Sequence, residues 1–283
     1  MSRFCRGHIP NTGTHPDAHK LLAAHVAASA LPPLPTPDLR SFDGPIADQG
    51  QAGSCGAFGF GRQLALFFRA NEMTKNWLFA DPLLMYALAR LQEWAGQVPS
   101  IIPPLMDTGV QPALLLKAAQ ACGFMLWNDD PSYTYPTDFE TLSNPKKMAA
   151  IVNRPIPPEA AMRAFDQSAL QYGLYQGDPT KVGDWVEQCL RNRMPVTFGM
   201  QVDEAYEQNS GELVTGIDLA NSLGGHDQCI VAVDEHGNFI VDGSWGYAGG
   251  NAGVFTIARS VINNPRICDD FQIVKAAPLP EGT

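Results

Sequence analysis

Two stretches of the chain hold residue types that carry out nucleophilic chemistry. The first, Pro45 to Phe60, reads PIADQGQAGSCGAFGF and sets Cys55 where a glycine-rich approach passes into the helix-patterned RQLALFFRA. A thiol becomes a useful nucleophile when its pKa falls, and a helix N-terminus favours the thiolate. Gly53, Gly56, Gly59 and Gly61 are poor helix residues, each costing about 1 kcal/mol against Ala in an exposed helix interior. That pattern suits backbone that must come close to a substrate or to another lobe. The second stretch, GGHDQCIVAVDEHGNFIVDGSWGYAGGNAGVFTI, opens a strand with His226 and offers a carboxylate, Asp242, on the next strand. The base that activates a thiol is a His held by a second polar group. A lone Cys is most often a buried structural residue; the two segments together point to catalysis.

The elements that must position these residues follow from periodicity. From Cys55 to about Tyr135 the apolar spacing is helical: Ala57, Phe60, Leu64 and Phe67 form one stripe, DPLLMYALARLQEWA repeats the signal, and QPALLLKAAQACG ends on Gly123. Residues 136–180 are Pro-rich and mixed, with FDQSALQYGLYQG read as a short helix, and VGDWVEQCLRN is a further helix. The period then changes to strands in PVTFGMQV, DQCIVAV, NFIVDG and GVFTIA, separated by DEHGN and GYAGGNA. Helices first and antiparallel strands later predict an α+β fold with two lobes. We divide the chain into an N-terminal extension (1–40), a helical lobe with the nucleophile helix (41–140) and a β-rich lobe with the His (141–283).

Bulk properties narrow the function classes. The 283 residues are 45% hydrophobic, enough for a sizeable core. A net charge of −10 argues against nucleic-acid and anionic-membrane partners, which need clustered Lys and Arg. No apolar run is long enough to span a bilayer. LLAAHVAASA starts after twenty mostly polar residues and lacks the basic lead of a signal peptide. It reads as an amphipathic helix ended by Pro32-Pro33, on a chain made in the cytoplasm. The six cysteines form no CxxC pair, so neither a zinc site nor a disulfide framework is expected. Four of the six histidines (His8, His15, His19, His25) lie in the first twenty-five residues and read as a solvated arm. That arm is expected to pack on the body or on an assembly partner through Leu21, Leu22 and Val26, leaving the cleft open.

Asp48-Gln49-Gly50-Gln51-Ala52-Gly53-Ser54-Cys55 resembles the nucleophile segment of papain-like cysteine peptidases, in the form seen in bacterial and viral members. Gly225-His226 before an apolar strand, and Ser244-Trp245-Gly246 before a glycine-rich turn, are similar to that family's His and Asn-Ser-Trp-Gly segments. TGVQPALLLKAAQACGF is similar to the helix after its cleft wall, so that Asp107-Thr108-Gly109 would line the cleft. The resemblance implies a papain-like two-lobed fold with the cleft between the lobes. It implies hydrolysis of peptide bonds in a peptide or protein substrate through a Cys55 thioester, without a cofactor. Cys55 would be the nucleophile, His226 the base, Gln49 an oxyanion donor with the Cys55 N–H, and Trp245 a shield over the His. Two positions depart from the family: Gly56 stands where many members carry Trp, and Gly243 where the family has its His-orienting Asn. Asp242 is the neighbouring candidate for that role. A three-residue turn at Glu235–Gly237 puts Asp242 on the face of His226, and a two-residue turn at His236–Gly237 puts Gly243 there. The alternative function is a catalytically weakened module serving as a structural or binding component of a larger assembly, such as a phage particle.

Overall fold

The computed structural model describes residues 7–94, 106–127, 129–165 and 170–277. The chain begins with α1 (Ala18–Ala28), α2 (Cys55–Ala70), α3 (Pro82–Trp94) and α4 (Pro112–Cys122). Shorter helices follow: α5 (Phe139–Leu142), α6 (Pro145–Val152) and α7 (Pro158–Phe165). Then come β1 (Leu170–Leu174), α8 (Val182–Arg191), β2 (Val196–Val202), α9 (Glu204–Glu207) and β3 (Leu213–Val214). The chain closes through β4 (Gly224–Val233), β5 (Phe239–Asp242), β6 (Val254–Ile257), α10 (Arg259–Ile262) and β7 (Cys268–Ala276). The strands form one sheet in the order β1-β7-β2-β4-β5-β6-β3, antiparallel except between β3 and β6. This is the α+β architecture expected. No helix among the described residues is long and apolar enough to cross a membrane.

Helix starts and stops follow the local chemistry. Asp17 caps α1 by accepting from the His19 N–H, Pro112 occupies the first turn of α4, and Gly123 ends α4 at φ 78°. The central helix α2 is buried at every position except Arg69, because it packs on the sheet on one side and on α3 and α4 on the other. Its Phe58, Phe60, Phe67 and Phe68 are buried, each contributing about 1.5–3 kcal/mol. Two of its glycines are there for close approach. A Cβ on Gly56 would meet Leu115 Cδ1 at 2.8 Å and Asp227 Oδ2 at 3.1 Å, and one on Gly61 would overlap the Phe79 ring. The Gly56 departure thus has a steric reason: α4 and β4 fill the space a larger residue would need.

Two elements differ from the sequence-based reading. The segment read as a short helix in FDQSALQYGLYQG contains β1, which pairs with β7 from Leu170↔Ala276 to Leu174↔Gln272; residues 166–169 lie outside the described residues. LQYGL alternates inward and outward at its start, with Gln171 alone exposed, and this period-2 pattern decides for strand. The β7 segment CDDFQIVKA carries no clean alternation at its start. There Asp270 takes φ 53° and the β2–β7 register shifts between Thr197 and Gly199.

Register also settles the two hairpin alternatives between β4 and β5. Near the turn, Val233 pairs with Phe239 and Ala232 with Ile240. The register then slips between Ile230 and Ala232, so that Asp242 comes opposite Cys229. Asp242 therefore shares the face of Cys229 and Asp227, and His226 lies on the other.

Candidate active site

Cys55 is the first residue of α2, with Ser54 at the N-cap. The Ser54 hydroxyl is 2.8 Å from the Tyr135 hydroxyl, which donates to the Gln49 carbonyl at 2.7 Å. Asp107 Oδ1 accepts from the Gly53 N–H at 2.9 Å and from the Tyr86 hydroxyl at 2.7 Å, which fixes the loop before the helix. The helix places its positive end at the thiol, an arrangement that favours a thiolate.

Gln49 is fully buried and held at both ends of its amide. The Ser244 hydroxyl donates to Oε1 at 2.5 Å, Nε2 donates to the Ala52 carbonyl at 2.7 Å, and the Gln49 N–H donates to the Ser244 carbonyl at 2.8 Å. An isolated bridge joins Asp48 to Trp245, so the segment before Cys55 and the Ser244-Trp245-Gly246 block form one unit. The His226 ring stacks on Trp245 with centroids 4.2 Å apart and planes at 25°. Trp245 in turn meets Tyr206 and Phe255 edge-on. The structure thus joins Gln49 to the block that carries Trp245 and packs His226 on that Trp.

Asp242 is placed elsewhere. Its Oδ2 accepts from Arg62 of α2 at 2.7 Å, and Arg62 also pairs with Asp43. Burial raises the Asp242 pKa well above the usual carboxylate value, against the pull of Arg62 and with a further push from Asp43. The expectation that Asp242 orients His226 is therefore corrected: the register slip turns it to the α2 face, where it anchors the helix. Gly243 falls on the other face, where a Cβ would meet Phe255 Cε2 at 3.0 Å. The bulk of Phe255 fills the place in which an Asn would have to stand.

A residue the sequence reading passed over sits against the thiol. The Cys55 Sγ donates to Asp227 Oδ2 at 3.6 Å, and Asp227 Oδ1 lies 2.9 Å from His8 Nδ1. A carboxylate beside a thiol opposes its ionisation unless a cation balances it, and His8 is that cation. Burial alone would lower its pKa; the Asp227 charge, with hydrogen bonds to Asp227 and Asp269, outweighs burial and raises it well above the ordinary value. The signal in the sequence was a carboxylate directly after His226, at the start of a strand that turns apolar from Cys229 onward.

His8 belongs to a segment that runs through the cleft, against the expectation of an open cleft. The His8 N–H donates to the Gly225 carbonyl at 3.1 Å, the Val110 N–H to Gly7 at 2.8 Å, and the Ile9 N–H to Val110 at 3.2 Å. The pairing with Val110 is parallel and that with Gly225 antiparallel. Gly7 passes so close to Gly53 and Gly109 that a Cβ on Gly7 would overlap the Gly53 carbonyl. Asp107-Thr108-Gly109 borders this passage, as anticipated. Cys55, Gln49 and His226 are each 0% exposed in this state. Farther along, Leu21 and Leu22 are buried as expected, whereas Val26 is 44% exposed and His25 is buried on α1, where its Nε2 donates to the Asn192 carbonyl at 3.0 Å.

On the side of Asp48 and Gly246 lies an open groove of about 920 Å³ lined by Ile46, Trp77, Phe79, Trp127, Phe139 and Tyr247. The cleft region therefore has one filled, acidic part and one open, aromatic part.

No protein-family model matches the sequence, and no curated protein does. Solved structures do match. Xylellain, a cysteine protease from Xylella fastidiosa, superposes with a TM-score of 0.73 at 22% identity, over 98% of this chain and 97% of that one. Procathepsin B S9 from Trypanosoma congolense gives 0.61 at 13% identity, over 98% of this chain and 87% of its own. Bromelain from Ananas comosus, in complex with the E64 inhibitor, gives 0.56 at 13% identity, over 85% and 98%. The chain thus has the fold of papain-like cysteine proteases.

Proposed function

We propose that the chain hydrolyses peptide bonds, with Cys55 as nucleophile and His226 as general base and then general acid. In this reading Cys55 Sγ, activated as a thiolate by His226, attacks the scissile carbonyl. The bond to the leaving amine breaks as His226 protonates it, and water then hydrolyses the thioester. The Gln49 amide and the Cys55 N–H stabilise the oxyanion, a contribution of about 3–4 kcal/mol per donor in comparable sites. Trp245 covers the imidazole. The observation that carries the reading is the thiol at the first turn of a buried helix, beside a rigidly held Gln49 that is bonded to the same block whose Trp stacks on His226.

Hydrolysis of a fluorogenic peptide by full-length His8→Ala, in which the segment that fills the cleft is released, and by His8→Ala/Cys55→Ala tests it. A loss of at least a thousandfold is expected, the scale seen when a nucleophile is deleted. Equal turnover by both proteins ends the reading. A second reading, a binding module without turnover, is favoured by one observation: Phe255 stands against Gly243, where a His-orienting side chain would be placed. It predicts a Cys55 that can be alkylated in a protein that cleaves no peptide.

A further inference from the structure

The part of the cleft that holds His8 is shaped and charged for a cation. Asp227 of β4 and Asp269 and Asp270 of β7 surround the imidazole. Nδ1 is 2.9 Å from Asp227, and Nε2 is 2.9 Å from Asp269 and 3.7 Å from Asp270. Among the described residues no Lys or Arg pairs with any of the three carboxylates. The ring rests on Gly199 and Gly225, where a Cβ at either position would run into it, so the pocket's depth depends on two missing side chains. Asp270 keeps its place in a left-handed conformation, φ 53°, that non-glycine residues seldom adopt, and its carboxylate accepts the Asn11 N–H at 2.6 Å. Crowding by burial and by Asp269 pushes Asp270 up to about 6, as expected where one cation serves three carboxylates.

We propose that this pocket is the specificity pocket of the cleft and selects an arginine or lysine side chain of the substrate, with His8 as its intramolecular occupant. The proposal rests on the peptidase reading and deepens it. The backbone around His8 already makes extended, strand-like bonds to Val110 and Gly225, which is how a peptide lies along a cleft wall. When the arm leaves, Asp227 is left beside the Cys55 thiol without its cation, and burying that charge unpaired is unfavourable. A substrate guanidinium or ammonium restores the balance that His8 provided; a neutral or acidic side chain does not.

The test separates binding from turnover. In full-length Cys55→Ala/His8→Ala protein, which cannot consume its ligand, fluorescent peptides carry Arg, Lys, citrulline, norleucine or Glu at successive positions. Affinity is read by polarisation. The arm weakens all peptides alike, so the ratios report the pocket. Arg and Lys are expected to bind at least tenfold more tightly than citrulline, the neutral isostere of Arg, at one position of the peptide. Asp269→Asn/Asp270→Asn on the same background should reduce that ratio to less than threefold. Arg binding no tighter than citrulline at every position overturns the inference and leaves peptide hydrolysis untouched. Cation selectivity, when His8→Ala protein with Cys55 intact cleaves nothing, upholds the pocket and removes the peptidase reading.

Discussion

Removing the His8 imidazole should open the cleft. The ring is buried between Asp227, which is itself buried, and Asp269, which is 39% exposed. Deleting one partner of a buried ion pair costs about 3–5 kcal/mol. The lower end applies here, because water reaches Asp269 and Asp270 once the ring is gone. About 3 kcal/mol corresponds to roughly a hundredfold increase in the open population. The assay is the rate at which a bulky peptidyl epoxide modifies Cys55 in the full chain. When reclosing outruns modification, that rate follows the open fraction. His8→Ala should therefore label tens to a hundred times faster than wild type. Gly7→Val reaches the same state by another route, since its side chain would overlap the Gly53 carbonyl. Labelling within twofold of wild type in both variants, with folding intact by thermal denaturation, would refute the claim that the segment at Gly7–Ile9 closes the site.

Raising the pH should also release the arm. His8 titrates well above its ordinary value when docked, so its contribution is complete below about 6.5, the free-His pKa, and is lost as pH rises through the docked value. The groups facing it are Asp227, Asp269 and Asp270. The ratio of Cys55 labelling rates, His8→Ala over wild type, should fall toward one on the alkaline side; a ratio independent of pH contradicts this. Asp242→Ala strands Arg62 with Asp43 alone and should lower stability by about 3 kcal/mol in a denaturant melt. Its Cys55 labelling, corrected for unfolding, should stay within threefold, and a tenfold loss would restore Asp242 as an orienting residue. Gly243→Asn has to displace Phe255, which stacks on Tyr206 at 4.5 Å, and should cost about 1–3 kcal/mol without speeding labelling. Among the cysteines, Cys189, Cys229 and Cys268 have thiols pushed up by burial and should resist iodoacetamide at pH 7, so that in His8→Ala the fast adduct is on Cys55.

The central helix, the strands around His226 and the candidacy of Gln49 were legible because each rests on a local signal; that Gln49 is bonded to Ser244 was not. These signals are a glycine-to-helix transition, alternation along a strand, and a fixed offset between Gln49 and Cys55. The position of Asp242 was not legible. It depends on a one-residue slip between Ile230 and Ala232, and both turn lengths are compatible with the same hydrophobic pattern. β7 was missed for a related reason: Asp269 and Asp270 interrupt its start, and their purpose becomes clear only when His8 is placed between them. His8 itself looked like one of four solvated histidines. Its burial is set by partners more than two hundred residues away along the chain, and no periodicity within the arm announces them.

The most direct test of the account is the site of a covalent trap. His8→Ala protein is treated with a peptidyl epoxide at pH 7, digested and mapped by mass spectrometry, beside His8→Ala/His226→Ala. The account predicts a single adduct on Cys55, formed at least a hundredfold more slowly when His226 is absent, since the thiolate then loses its imidazolium partner. An adduct on another cysteine, or a Cys55 rate indifferent to His226, would contradict it.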